Sequence, residues 1–364
     1  MLCRRAAERE GELTFENFLN QVRDRILDYM PEGYEGAEVT VEEAVRANDL
    51  KLHELLIRKK GEYTAPGIFL ESFYERYKDG LEMGEVLSIL AGKYEKATES
   101  TWDLCMQDFS DFAVAKDRLC VAMLNKHLNT QYLKDAVYRE VPGTDLVSVV
   151  RMQIAAGQSK AGILVEKRLL EKWGLTEQEL YDMAFENTVR HFKPSLVPMD
   201  EIILSSFGGV KEPAIESDPM GTVFKAWERW SDDPMKGMFV LTNTANYNGA
   251  TTLIYPGLLE LIGEKAQSSF FILPSSTHEL ILLNEKEMDS AEKLQEMVME
   301  INRKCVCPDE ILSDEVYHYD YRERRLTMVT DPEQTARMAE NMEALIPSYN
   351  DWSCISEEQE EEER

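Results

Sequence analysis

The sequence predicts an α+β protein: a helix-rich N-terminal part followed by a C-terminal antiparallel sheet built as ββα-ββα-ββ with its helices on one face. Three observations carry that prediction. Short apolar runs alternate with turn residues between 238 and 284, apolar residues recur at spacings of three and four in the first two hundred positions, and the connections between paired runs are too short for parallel crossovers. With 364 residues, of which 43% are apolar, the chain has ample material for a packed core.

In order along the chain, Thr14 is placed to cap a helix carrying Phe15, Phe18, Leu19, Val22, Ile26 and Leu27 on one face, ended by Pro31 and Gly33. Val39, Val41 and Val45, then Leu50, Leu52 and Leu56, recur at even spacings about Asn48-Asp49 and predict a hairpin, with a Thr40/Glu43 capping box and short helix as the alternative. Pro66 opens a helix through Ile68, Phe69, Phe73 and Tyr77, Gly80 stops it, and a further helix follows around Val86, Leu87, Leu90 and Tyr94. The stretch 102–129 reads as helical through Leu119, Val121, Leu124 and Leu128, 145–154 as a strand, and 162–165 as its partner. Thr176 and Glu179 have capping-box spacing before a helix that runs to His191 ahead of Pro194.

In the last third, strands at 238–242 and 251–255 are expected to flank a turn at 246–249. A helix after Pro256, a second hairpin from 270–273 and 280–283, a helix through Leu294, Met297, Val298 and Ile301, and a closing pair at 316–319 and 326–329 follow. The expected organisation is a flexible N-terminus at 1–12, an N-terminal α+β domain at 13–200, a Gly-, Pro-, Ser- and Asp-rich connection at 201–233, a C-terminal α+β domain at 234–352, and an acidic disordered tail at 353–364.

Charge narrows the function. Sixty-eight acidic against forty basic side chains give a formal net charge of −28, which repels phosphate backbones and anionic headgroups. Direct nucleic-acid and membrane binding are thereby disfavoured, and a basic protein becomes the favoured partner. No apolar run reaches the roughly 18 to 20 residues of a membrane helix, no signal-peptide pattern is present, and the expected location is the cytoplasm. Six cysteines, with only Cys305 and Cys307 close together, fit reduced thiols and lack the second ligand pair of a zinc site.

The candidate catalytic residues are Ser275, Ser276, His278 and Glu279, in a predicted strand-to-strand turn that also holds Thr277. A histidine beside hydroxyls can act as a general base, with Glu279 orienting it. Turn chemistry explains the same residues, the hydroxyls satisfying backbone groups and His278 covering the sheet end. A metal site from His278, Glu279 and Asp314 or His318 is conceivable, but the five histidines show no ligand spacing. No metal and no cofactor are therefore expected. Tyr317, Tyr319 and Tyr321 alternate as one aromatic strand face, which cross-strand packing explains better than base stacking.

The strings FVLTN (239–243), YNGATTLIYPGLLE (247–260), FFILPSSTHELILL (270–283) and ILSDEVYHYD (311–320), with VRANDLKLHELLI (45–57), IFLESFYERYKDG (68–80) and WGLTEQELYDMAFENT (173–188), resemble a bacterial family of unknown function common in gut Clostridia and other Firmicutes. The resemblance spans nearly the whole chain apart from the acidic tail and implies no activity, cofactor or partner. It departs from that family's pattern at Ala47-Asn48-Asp49, where the family has an Asn-Asn turn. The favoured reading is a cytoplasmic, non-enzymatic interaction or regulatory protein that binds a basic protein. The alternatives are a hydrolase using the 275–279 turn and an acidic decoy that mimics nucleic acid.

Overall fold

A computed structural model describes residues 13–62, 65–105, 109–153, 162–199, 202, 237–274, 276–287 and 290–330. The termini at 1–12 and 353–364, and the 201–233 connection apart from Ile202, lie outside the described residues, as does Ser275. The chain is α+β, and among the described residues every strand pair is antiparallel.

Helix α1 (Phe15–Arg25) begins where the Thr14 hydroxyl accepts the Asn17 amide, and it buries Phe18 and Val22. Strands β1 (Glu38–Val45) and β2 (Lys51–Arg58) form the expected hairpin, and β3 (Gly67–Phe69) completes a three-stranded sheet. The helix expected from Pro66 starts later, as α2 (Glu71–Lys78): Ile68 is spent on pairing with Leu55 of β2 instead. Helix α3 (Met83–Cys105) packs Val86, Leu87, Leu90 and Tyr94 against this sheet and α1.

After the short α4 (Phe112–Ala115), strand β4 (Leu119–Asn125) replaces the helix expected there. All seven of its residues are buried, because Leu119 and Val121 face one apolar cluster while Ala122 and Leu124 face another. A strand covered on both faces loses the period-2 alternation that would mark it. It pairs with β6 (Leu146–Gln153), whose other side carries β5 (Tyr138–Glu140) and β7 (Gly162–Leu164). Helix α5 (Arg168–Trp173) ends at Gly174 in the left-handed region, and α6 (Glu177–His191) starts with the complete Thr176/Glu179 capping box.

The six-stranded sheet runs β13 (Arg325–Met328), β12 (Tyr317–Asp320), β10 (Phe270–Leu273), β11 (Leu280–Asn284), β9 (Met238–Asn243) and β8 (Pro194–Pro198). Two expectations are corrected here. Residues 251–255 do not pair with β9, whose neighbours are β8 and β11. Residues 251–254 belong to a 3₁₀ turn, Gly249–Ile254, capped by Tyr255, in which the Thr251 and Thr252 hydroxyls bond back to the Asn248 and Gly249 carbonyls. Nor do the helices share one face. Helix α7 (Leu258–Ala266) packs on the face of Phe270, Ile272, Leu280 and Leu282, whereas α8 (Ala291–Cys305) packs Leu294 and Val298 on the opposite face with Leu273, Leu283 and Val316. Double coverage is why these strands read as unbroken apolar runs.

The portions on either side of 201–233 share this sheet through β8 and share a core, since Met123, Val141 and Leu146 cluster with Phe239, Leu241 and Tyr317.

Candidate functional site

Two tight turns bring the candidate residues together. Between β9 and the 3₁₀ turn, the Asn243 side chain accepts the Ala245 amide at 2.9 Å and donates to the Tyr247 carbonyl at 2.8 Å, while Asn246 and Asn248 take left-handed backbone angles that asparagine tolerates. Gly249 then passes so close that a Cβ would stand 2.1 Å from Thr242 Oγ1 and 2.2 Å from the His278 carbonyl oxygen. Only glycine fits there, and Thr242 Oγ1 donates to that carbonyl at 2.8 Å.

The second turn, between β10 and β11, is fastened on three sides. Thr277 receives the Ala250 amide at its carbonyl and donates its own amide to the Glu310 carbonyl at 2.9 Å; Ser276 bridges to Ile311 and accepts the His278 amide at 3.0 Å. The His278 ring is fully engaged. Nδ1 accepts the Asn248 amide at 3.1 Å, Nε2 lies 2.9 Å from Glu310 Oε1, and the Tyr247 ring packs against it at 5.2 Å. An acceptor at Nδ1 places the proton on Nε2, so the imidazole is the neutral tautomer that donates to Glu310.

The carboxylate on the imidazole is therefore that of Glu310, on a segment 32 residues away, and not the adjacent Glu279. Burial, opposed by nearby His278 and reinforced by Glu310, holds the Glu279 carboxyl above the usual range. Asp309 is raised as well, by burial and by Glu310, against the pull of Arg46 and His278. Ser276 and His278 do share a turn, but the Ser276 hydroxyl meets the backbone amide of His278 and not its ring.

The other candidates are dispersed. Asp314 is held bidentately by Arg303 at 2.5 and 2.7 Å, and His318 sits 3.6 Å from Glu285. Among the described residues no three His, Cys, Asp or Glu side chains converge as a metal site. Tyr317 and Tyr319 are buried in the main core, and Tyr319 packs on Phe270 at 5.3 Å.

What sequence reasoning missed is the structure around this turn. Asn48, at the tip of the β1–β2 hairpin, donates to the Pro308 and Ile311 carbonyls at 2.7 and 2.8 Å, flanking Asp309 and Glu310. Asp49 accepts the Gln131 and Tyr132 amides and the Thr130 hydroxyl; these bonds outweigh the effect of burial and hold its carboxyl below the usual range. The hairpin tip read as departing from the family pattern is thus the clamp that joins the first sheet to the second and to the 307–311 loop. Its signal was the Asn-Asp pair itself, a turn rich in side-chain hydrogen-bonding capacity.

Fold and site together define an α+β protein in which a histidine turn is locked by backbone and carboxylate partners. The chain belongs to a family of unknown function (DUF5688), whose model matches residues 15–321. No curated protein and no solved structure matches it. No helix among the described residues is long and apolar enough to cross a membrane.

Proposed function

We propose that the protein acts by binding a basic partner protein, through the acidic face of its first sheet. The observation that carries this reading is a like-charge pair: Glu42 and Glu54 stand directly opposite each other in the β1–β2 register. Like charges in that position destabilise a sheet, and Glu54 is held above the usual carboxyl range by burial, against the pull of Arg46 and with Glu42 adding to it. A basic side chain from a partner would relieve that repulsion. Glu38 and Glu42 are exposed on the same face of β1, an edge strand, and the chain as a whole carries a formal −28.

The hydrolase reading has less support, because both nitrogens of His278 are occupied by groups other than a hydroxyl. A decoy reading would need carboxylates in phosphate-like rows, which the paired Glu42 and Glu54 do not supply. Titrating the full chain with a decalysine peptide tests the proposal by calorimetry. Binding should weaken steeply from low to high salt and in the Glu42→Gln/Glu54→Gln double variant. Salt-independent binding, or full affinity in the double variant, would overturn it.

A further inference from the structure

The first sheet has one closed side and one open side. Across the β1–β2 hairpin the Arg46 amide donates to the Leu50 carbonyl at 2.8 Å, so 46 and 50 form a hydrogen-bonded pair. The two-residue alternation of an antiparallel ladder then sets Glu38, Thr40, Glu42 and Ala44 bonding to β2 and turns the backbone groups of Val39, Val41 and Glu43 to the outer edge. On the far side of β2 the corresponding groups are closed. Leu55 pairs with Ile68 of β3, and beyond that pair other groups take over. The His53 amide donates to Glu71 Oε1 at 2.7 Å and its carbonyl accepts the Leu70 amide at 2.9 Å, while the Tyr94 hydroxyl accepts the Ile57 amide at 2.7 Å and donates to the Ile57 carbonyl at 2.9 Å. Among the described residues nothing does the same for β1, whose outward amides and carbonyls have no partner.

Nor does β1 carry the usual protection of an edge. It is eight residues long, in unbroken register with β2, and contains neither Pro nor Lys, whereas the outer strand β8 is bounded by Pro194 and Pro198. Its core-facing Val39 and Val41 are only partly buried, although their cross-strand partners Ile57 and Leu55 are fully so. A further strand would cover them. What the edge does carry is acid, with Glu38 and Glu42 exposed on one face and Glu43 exposed on the face of the valines. A second copy of β1 would set like charges beside like in a chain of net charge −28, so the edge disfavours itself and selects a basic strand.

We propose, resting on the basic-partner reading above, that the partner docks as an extended segment added to β1 as a fourth strand of the first sheet. Its backbone meets the open groups of Val39, Val41 and Glu43. Its basic side chains stand beside Glu38 and Glu42, and apolar side chains at the alternate positions cover Val39 and Val41.

Titration of the full chain with a peptide of about ten residues alternating Lys and Val, alongside decalysine, tests it. Amide exchange followed by NMR should show Val39, Val41 and Glu43 unprotected in the free chain and protected on binding the alternating peptide, with Thr40 and Glu42 protected throughout. N-methylation of the peptide at every Val removes the donors that an antiparallel strand presents, and at every Lys those that a parallel strand presents. At least one of the two should weaken binding roughly tenfold or more. Val41→Pro deletes an outward amide and no β1–β2 bond, so it should keep the fold and lose affinity similarly; should it fail to fold, the methylated peptides decide. Equal affinity for decalysine, the alternating peptide and both methylated forms, without protection of the three amides, would leave the acidic face as the docking site and overturn strand addition. No binding of any peptide would overturn both readings. Protection of the three amides without peptide, in a chain that sediments as a dimer, would give the edge to a second copy and overturn the proposal.

Discussion

Asn48 and Asn129, 81 residues apart, hydrogen-bond to each other twice: the Asn48 amide donates to Asn129 Oδ1 at 2.6 Å, and Asn129 Nδ2 donates to Asn48 Oδ1 at 2.8 Å. With its Nδ2 on the Pro308 and Ile311 carbonyls, Asn48 uses its whole side chain to tie three segments together. It does so from the left-handed region, at φ 60.

Asn48→Ala should therefore cost about 3 kcal/mol, since it strands several part-buried polar groups and adds left-handed strain. Asn48→Gly loses the same bonds without the strain and should be about 1 kcal/mol less damaging. Asn48→Asp keeps an acceptor for Asn129 but turns an oxygen towards two carbonyls, and should be at least as damaging as Ala. Urea melts of the three variants check the order; an alanine variant as stable as the glycine one contradicts it.

Asp145 is a second clamp. It accepts from Asn125 Nδ2 at 2.6 Å, from Ser313 Oγ at 2.8 Å and from the Tyr317 hydroxyl, so it ties the second sheet to the third. Burial and the Asp145 charge hold the Tyr317 hydroxyl well above its usual range, which keeps it a donor. Tyr317→Phe should lose about 1.5 to 3 kcal/mol, the scale of a hydrogen bond to a charged acceptor. A thermal melt within half a degree of the parent would show that Ser313 and Asn125 suffice.

Local signals in the sequence located most elements that carry their own punctuation. Thr14, and Thr176 with Glu179, each satisfy nearby backbone groups, so short-range chemistry alone marks them, whereas Asn48-Asp49 is legible only as a turn, its side chains being used on residues 130–132, 308 and 311. β4 carries no strand signal because both its faces are buried, and the 3₁₀ turn at 249–254 mimics a strand in sequence because its two threonines bond to their own backbone instead of a neighbouring strand. His278 was legible as a turn residue. Its partner Glu310, 32 residues away on another segment, is brought to it by tertiary packing, about which spacing in one sequence is silent.

Glu279 makes stability depend on pH in a defined direction. Its folded carboxyl is raised, mainly by burial, so folding favours the protonated form. The contribution is fully present below the ordinary value of 4.5 and is lost as pH rises through the raised folded value. At neutral pH the charged Glu279 is a burden. Glu279→Gln, a mimic of the neutral acid, should raise the melting temperature at about pH 7 and leave it unchanged at about pH 4. An equal gain at both would place the effect in packing instead of ionisation.

His278 separates the interaction reading from the hydrolase one. Its ring receives the Asn248 amide, donates to Glu310 and packs on Tyr247. His278→Ala removes all three and leaves a part-buried amide and carboxylate unpaired, a loss of about 2 kcal/mol. His278→Gln retains one acceptor and one donor on a side chain of similar reach, so it should cost less than about 1 kcal/mol. A glutamine cannot take up a proton near neutral pH, so a catalytic His278 would show the opposite pattern: activity lost equally in both variants, with melts unchanged. Paired thermal melts and an esterase assay on p-nitrophenyl acetate distinguish the two. The expected result is graded stability with no turnover in the parent. Turnover abolished by both substitutions would return Ser276 and His278 to the role of catalytic pair, with Glu310 as the carboxylate that orients the imidazole.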